Sequence, residues 1–208
     1  MKIRALTVLA VLAACVLPAS AALVTFDFYT VPTGTFPFID VTADGVTLRV
    51  DGFDNTPANA NVNNAYGGLG VIGSGSSALN PPRVRLTFRI INPGLFTQFS
   101  LYSVQFGRGG GTLDGDDMAR IAFPATALPS IDVAVGDLTG AVWMAGTPIG
   151  LTFPHTNPQV SIRAIGPTED DVFRVGKITL QAVPEPGTYA LVGFGLIGLA
   201  LIRRRRRA

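Results

Sequence analysis

Hydrophobic residues recur at every second position in short stretches throughout residues 22–182. Over residues 46–50 and again over residues 84–90 they alternate with arginine and threonine. A period of two is typical of β-strands with one buried face. No stretch of this region keeps a helical period, and the 24 glycines and 15 prolines of the chain interrupt the pattern at short intervals. The sequence therefore predicts an all-β fold.

Eight or nine short strands without intervening helices predict a single β-sandwich of the jelly-roll-like kind over residues 22–182. Residues 54–77 are rich in asparagine, glycine and serine and are predicted to form a long surface loop. The predicted strands lie at residues 24–28, 46–50, 84–90, 99–106, 118–123, 131–135, 141–144, 160–165 and 172–183.

The last predicted strand contains a shift in its hydrophobic phase. Apolar residues stand at odd positions up to Val175 and at even positions from Ile178 onward. A strand with one buried face can absorb such a slip by adding one residue that its partner does not match. The sequence therefore predicts a β-bulge at Gly176 and Lys177.

Residues 1–21 have the layout of a secretory signal peptide. A basic start and an apolar run precede Ala19 and Ala21, which form the Ala-x-Ala pattern that signal peptidase cuts, here before Ala22. The single cysteine, Cys15, lies within the apolar run, so a chain cut at Ala22 would have no thiol and no disulfide. The alternative is a lipobox at residues 12–15, which would leave a lipidated Cys15 at the mature N-terminus.

The net charge of the chain depends on its two terminal segments. The whole sequence has 16 basic and 14 acidic residues and a net charge of +2. Residues 1–21 hold two of the basic residues, and residues 183–208 hold five basic residues and one acidic residue. Nine basic and 13 acidic residues remain between them, a net charge of −4. We therefore expect no basic cluster on this domain and no nucleic-acid partner.

Residues 183–208 combine three elements in order. Pro184, Glu185 and Pro186 are not helical, because the two prolines favour an extended backbone. Residues 189–202 are apolar and predict a short transmembrane helix of roughly 21 Å, against a hydrocarbon core of about 30 Å. By the positive-inside rule, the arginines that follow stay cytoplasmic and stop the chain in the membrane. They are Arg203, Arg204, Arg205, Arg206 and Arg207.

This order, Val-Pro-Glu-Pro-Gly-Thr, a glycine-rich apolar helix and an arginine run, resembles a PEP-CTERM protein-sorting tail. The resemblance implies export across the inner membrane of a Gram-negative bacterium as an anchored precursor. It further implies recognition by an exosortase, cleavage at or near Pro184, Glu185 and Pro186, and delivery to the cell surface or the exterior. An association with exopolysaccharide is also implied.

Catalytic groups are scarce between the two terminal segments. His155 is the only histidine, and no serine stands in a Gly-x-Ser-x-Gly elbow, so a turn residue is the favoured interpretation of His155. A zinc site would have too few ligands, because the chain cut at Ala22 has no cysteine and a single histidine. A glycosidase pair would have a single glutamate, Glu169, to combine with the aspartates. We therefore expect no enzymatic activity.

Acidic residues in predicted turns are candidate ligands for Ca²⁺, which binds oxygen atoms on flexible loops. No segment matches an EF-hand loop, and aspartate and glycine are also common turn residues. The favoured interpretation is therefore solvated turns, with no cofactor or with Ca²⁺ as the one possible ion. The candidate ligands are Asp114, Asp116, Asp117, Glu169, Asp170 and Asp171, with residues 51–55 as a third acidic segment.

Residues 170–180 resemble the closing strand of jelly-roll domains of the carbohydrate-module type. That resemblance implies a sugar-binding surface with Tyr66, Tyr102 or Trp143 at its rim, although Trp143 has apolar neighbours and is favoured as a core residue. The expected function is that of an exported, exosortase-processed structural or adhesive protein of the surface or matrix. Two alternatives remain: a calcium-assisted carbohydrate-binding module that recognises the exopolysaccharide, and a secreted glycan-active enzyme.

Overall fold

Antiparallel β-strands make up most of the described chain. The computed structural model describes residues 21–53, 59–64, 68–72, 84–108, 118–135, 142–151, 159–165 and 173–184. Its strands are β1 (Ala22–Asp27), β2 (Gly34–Phe36), β3 (Phe38–Ala43), β4 (Val46–Phe53), β5 (Asn59–Asn64), β6 (Leu69–Ile72), β7 (Arg85–Asn92), β8 (Phe96–Arg108), β9 (Met118–Ala122), β10 (Ile131–Ala134), β11 (Val142–Leu151), β12 (Val160–Ala164) and β13 (Phe173–Pro184). A 3-10 turn, Phe28–Thr30, is the only helical element in these ranges. The all-β prediction is confirmed.

The strands form one continuous, nearly closed sheet. Its main path runs β10-β9-β12-β7-β4-β5-β6-β13-β8-β11, with β1 paired to β13, β2 to β5 and β3 to β4. Strand β5 links two groups of strands, because its residues Asn59 and Ala60 pair with β4 whereas Asn61–Asn64 pair with β6. The finer assignment as a jelly-roll-like sandwich stays a prediction, since this link makes the sheet continuous.

The core contains the alternate residues that the sequence pattern assigns to it. In β4, Val46, Leu48 and Val50 are buried, while the residues between them are partly exposed. The rings of Phe28 and Phe88 lie 6.1 Å apart and bring the 3-10 turn against β7. One hydrophobic cluster therefore joins strands that are far apart in the sequence.

The predicted surface loop over residues 54–77 is wrong in part, because β5 and β6 lie within it. Val62, Leu69 and Val71 of these strands are fully buried. The amide of Asn64, 2% exposed, donates hydrogen bonds to carbonyl oxygens in and just after the 3-10 turn. Asparagine is depleted in strands, but here its amide side chain satisfies backbone groups of a neighbouring segment, and packing overrides the local propensity.

Arg174 of β13 is fully buried, although it alternates with the core residues Phe173 and Val175. One of its terminal nitrogens, Nη1, donates to the carbonyl oxygens of Asn63 and Gly68 at 3.3 and 3.0 Å. The other, Nη2, donates to Oδ1 of Asn63 at 3.2 Å. This guanidinium links the end of β5 and the residue before β6 to the last strand. A buried charged group therefore stabilises the packing of these strands through hydrogen bonds.

The β-bulge predicted at Gly176 is confirmed. Val175 pairs with Phe106 of β8 and Lys177 pairs with the next residue, Gln105, so Gly176 has no partner of its own. The phenol of Tyr29 packs directly over Gly176, where a Cβ atom would overlap its hydroxyl. Glycine at this position lets the turn after β1 close onto β13.

Gly52 stands where β4 exchanges one neighbour for another. Along one edge of β4, residues 46–51 pair with β3, and Gly52 and Phe53 pair with β5. A Cβ atom on Gly52 would lie 2.7 Å from the carbonyl oxygen of Ala60, closer than packed atoms approach. The missing side chain therefore lets β5 bend across β4 and pass to the second group of strands.

Candidate functional site

The first and last strands of the described chain lie side by side. Ala22 pairs with Ala182, and the antiparallel register continues to Asp27, which pairs with Lys177. The predicted signal peptide ends directly before β1, and Pro184 is the last residue of β13. Both terminal segments therefore join the domain at the same end of one strand pair.

Side chains hold the other end of this pair together. Nζ of Lys177 lies 2.7 Å from Oδ2 of Asp27. The second oxygen of the same carboxylate, Oδ1, accepts a hydrogen bond from the backbone N–H of Tyr29 at 3.0 Å and so caps the 3-10 turn. Partial burial raises the pKa of the Tyr29 phenol, with Lys177 acting in the opposite direction and Asp27 in the same one. These contacts fix the docked position of β1.

The structure describes only some of the predicted processing residues. Ala21 and Ala22 are exposed. Pro184 is buried in β13 opposite Phe96, so the first proline of the signature belongs to the strand. The remaining processing residues, namely Ala19, Glu185, Pro186, the apolar segment 189–202 and the arginines 203–207, lie outside the described ranges. Within those ranges, no helix has the length and hydrophobicity needed to cross a membrane.

The predicted calcium ligands also lie outside the described residues, as do His155 and Tyr66. They are Asp114, Asp116, Asp117, Glu169, Asp170 and Asp171. Among the residues that are described, no group of three or more acidic, histidine or cysteine side chains could hold a metal ion. Trp143 is half-buried and packs against the core, and Tyr102 is also half-buried.

Five arginines share the outer face of one group of strands. Arg163 of β12 pairs with Arg85 of β7 on one side and with Arg120 of β9 on the other. Arg49 of β4 pairs with Arg89 of β7, and paired residues point to the same face of a sheet. We call this surface the arginine face. It holds five of the nine basic residues between the terminal segments.

The expectation of no basic cluster on the domain is therefore wrong. The alternation along β7 already placed Arg85 and Arg89 on the outer side of their strand. The cluster arises from register between strands far apart in the sequence, such as β7 and β12. A local pattern does not contain that register, so this surface could not be found from composition or spacing.

Three aspartates partly neutralise the arginine face. Nε and Nη2 of Arg49 each donate to one carboxylate oxygen of Asp40 at 2.7 Å. Arg120 holds Asp132 in the same two-point geometry at 2.6 and 2.7 Å. Oδ2 of Asp51 lies 3.5 Å from Nη2 of Arg89. Counted over the described residues, the five arginines and three aspartates give the face a charge of +2, on a domain whose net charge is −4.

Asp132 is expected to titrate at a pH below its ordinary pKa of 3.8, because the hydrogen bonds from Arg120 stabilise its charged form. Since the pKa is lower in the folded state, the pair contributes stability above pH 3.8 that is lost as the pH falls through the folded value. The contribution is small at an exposed site. An NMR titration of the Asp132 carboxyl checks this, and Arg120→Gln should raise the midpoint, because it removes the largest cause of the lowered pKa. A wild-type midpoint at or above 3.8 would contradict the assignment.

The comparisons with known proteins identify one segment. A family model described as the PEP-CTERM protein-sorting motif matches residues 182–207, beginning at the residue that pairs with Ala22. No curated protein and no solved structure matches the chain. The match confirms the resemblance of the tail, and it implies a membrane-anchored precursor that is processed for the cell surface. The chain thus carries a PEP-CTERM protein-sorting motif, which marks it as an exported protein with an exosortase as its processing partner.

Proposed function

We propose that this chain is a non-catalytic structural or adhesive protein of the cell surface or extracellular matrix, linked to exopolysaccharide. The β domain is the delivered part, and the terminal segments direct it there. Signal peptidase removes residues 1–21, and the exosortase acts at the Pro-Glu-Pro signature. The arginine run holds the precursor in the inner membrane until that step.

The pairing of Ala22 with Ala182 is the observation that carries this proposal. Both terminal segments leave from the same end of one strand pair, so removing them cuts through no strand that the sheet needs. Cleavage beyond Pro184 leaves β13 whole. A domain built in this way remains complete after both cuts, as cargo of a sorting system must.

The scarcity of catalytic groups supports a role without catalysis. The chain contains one histidine, and its two glutamates are Glu169 and Glu185, the second of which lies in the sorting signature. We expect no turnover of polysaccharide by the exported protein. Turnover that disappears when an acidic residue of the domain is replaced by its amide would support an enzyme instead.

Glu185→Gln is expected to block processing at the tail. The carboxylate lies between two prolines that limit its backbone, and a charged recognition group loses its charge-assisted contacts when it becomes an amide. The variant should accumulate in the membrane fraction with the arginine run still attached. Intact mass spectrometry of the membrane and exported fractions measures this directly.

Glu169→Gln is the matched control, because it makes the same change at the only other glutamate of the chain. It should be processed like the wild type, whose exported form should begin at Ala22 and end near Pro186. Normal processing of Glu185→Gln would refute the role given to Glu185. An exported wild-type protein that keeps Arg203–Arg207, or one that ends before Ala182, would refute the proposal as a whole.

A further inference from the structure

The arginine face carries three guanidinium groups in one straight row. Arg85, Arg163 and Arg120 occupy directly opposed positions on β7, β12 and β9, so neighbouring positions are about 4.8 Å apart across the sheet. Asp132 of β10 ends this row on one side. On the other side Arg85 packs over the ring of Phe53, with its guanidinium carbon 5.2 Å from the ring centroid. We call these three residues the arginine row.

Two members of the arginine row, Arg85 and Arg163, make no ion pair with a described carboxylate. Among the described residues, no aspartate or glutamate lies within 4.0 Å of Arg85 or Arg163, whereas Arg120 is held by Asp132. Like charges directly opposite each other destabilise a sheet, and Arg163 has one on each side. Asp132 attracts Arg163 from beyond that distance, but its carboxylate is already bound by Arg120. The arginines of the row therefore still repel one another, and an anion bound between the guanidinium groups would relieve that repulsion.

The same face shows which anion its arginines accept. Arg49 and Arg120 each bind a carboxylate through Nε and Nη2 with both oxygens engaged, the geometry for which the guanidinium group is pre-shaped. A chain of sugar acids presents one carboxylate per ring at regular intervals. It can therefore place successive carboxylates along the row while one of its rings contacts Phe53, the aromatic side chain that flanks the row.

A nucleic acid fits this surface less well. Duplex DNA has one negative charge per about 1.7 Å of its axis. The three aspartates of the face and the negative domain around it oppose so dense a charge more strongly than they oppose one carboxylate per sugar ring. Among the residues that the structure describes, the row also lies on the broad surface of a sheet, without a projecting element that could enter a groove.

We infer that the arginine face binds a carboxylate-bearing polysaccharide, with Arg163 and Arg85 holding its carboxylates. This inference rests on the proposed role at the cell surface, where such polymers are encountered, and it supplies the chemistry of the contact. Binding requires no metal ion, because the guanidinium groups provide the positive charge. It weakens with added salt, as expected for exposed charges.

The test measures binding of the exported protein to immobilised polygalacturonate, at low and at physiological ionic strength. Arg163→Gln and Arg85→Gln should each weaken binding about tenfold, the effect of losing one charge-assisted contact. Neutral dextran should not bind, and EDTA should change nothing. The thermal midpoint of Arg163→Gln should equal or exceed that of the wild type, since the substitution removes two like-charge contacts.

Lys177→Gln is the matched control, because it removes one positive charge from β13 outside the arginine face. It should bind within twofold of the wild type. All variants have the same terminal segments, so differences between them report the domain alone. Absence of wild-type binding, or equal losses in Lys177→Gln and Arg163→Gln, would overturn the inference. Tighter binding to single-stranded DNA would assign the face to nucleic acid, and loss with EDTA would assign it to a calcium site.

The outcome can be separated from that of the proposed function. Processing is measured by intact mass, and polymer binding is measured on protein that has already been exported. A correctly processed protein that ignores polygalacturonate would overturn this inference and leave the sorting role standing. A protein that binds polygalacturonate but reaches the exterior with its arginine run attached would refute the sorting role and leave the arginine face as a polymer-binding surface.

Discussion

Arg174→Gln is expected to lower the free energy of unfolding by about 3 kcal/mol or more, since the substitution breaks a buried, charge-assisted hydrogen-bond group. The guanidinium donates three hydrogen bonds to Asn63 and Gly68, and the variant would retain at most one of them. Glutamine is too short to reach both residues from β13. Denaturant unfolding, with the midpoint and the slope fitted together, measures the change.

Arg163→Gln provides the control for this prediction. The substitution is identical, but Arg163 lies on the outer face of β12 with arginines on both sides. We expect a change within about 0.5 kcal/mol, or a gain, because removing a like charge relieves repulsion. Equal losses in the two variants would mean that any arginine on this sheet contributes to stability, and Arg174 would have no special role.

Gly52→Ala is the second large effect, with an expected loss of about 2–3 kcal/mol from overpacking. The new methyl group would lie 2.7 Å from the carbonyl oxygen of Ala60 and 3.3 Å from a methyl of Val71. The nearest atom belongs to the backbone of β5, which is held by its own pairing to β6 and cannot move aside as the end of a long side chain could. Thermal or denaturant unfolding measures the loss.

The control for Gly52 is Gly150→Ala in β11. No atom lies within 4 Å of the position that the new Cβ would take. A glycine inside a strand is less stable than alanine by roughly 0.5–1 kcal/mol, so this variant should match or slightly exceed the wild type. A stability loss at Gly150 as large as that at Gly52 would show that the effect comes from glycine replacement in general, and the bend of β5 over β4 would not explain it.

The hydrophobic phase of this chain could be read from its sequence because burial acts on every second residue of a strand. That rule located the inward residues of β4 and β7 and the bulge at Gly176, where the phase itself slips. It missed β3, although a signal was present. Asp44 and Gly45 form a two-residue turn between Ala43 and Val46, with φ of +50° and +78°, and Asp-Gly is a strong hairpin marker.

Strand β5 could not be predicted in the same way. Its sequence, Asn59–Asn64, has four asparagines, and such a composition indicates a loop. The strand exists because its backbone pairs with β4 and β6 and because the amide of Asn64 hydrogen-bonds a turn more than 30 residues away. These are tertiary effects, and no window of local sequence contains them.

The two candidate sites also differ in whether local sequence or strand pairing defines them. The sorting signature is a contiguous string of residues, so the sequence alone identified it and the family match confirmed it. The arginine row consists of single residues from three strands, brought together by antiparallel register. A property that depends on pairing becomes visible only once the strand order is known.

The pairing of β1 with β13 determines when the first strand can be incorporated into the sheet during synthesis. Within the described chain, β1 has no strand partner except β13, and Ala22 precedes its partner Ala182 by 160 residues. At a translation rate of about 5–20 residues per second, a ribosome needs on the order of ten to thirty seconds to synthesise these residues. The first strand must therefore wait, unpaired, until the last one is synthesised. The domain can therefore close only when synthesis has reached the sorting segment, which begins at the residue that pairs with Ala22.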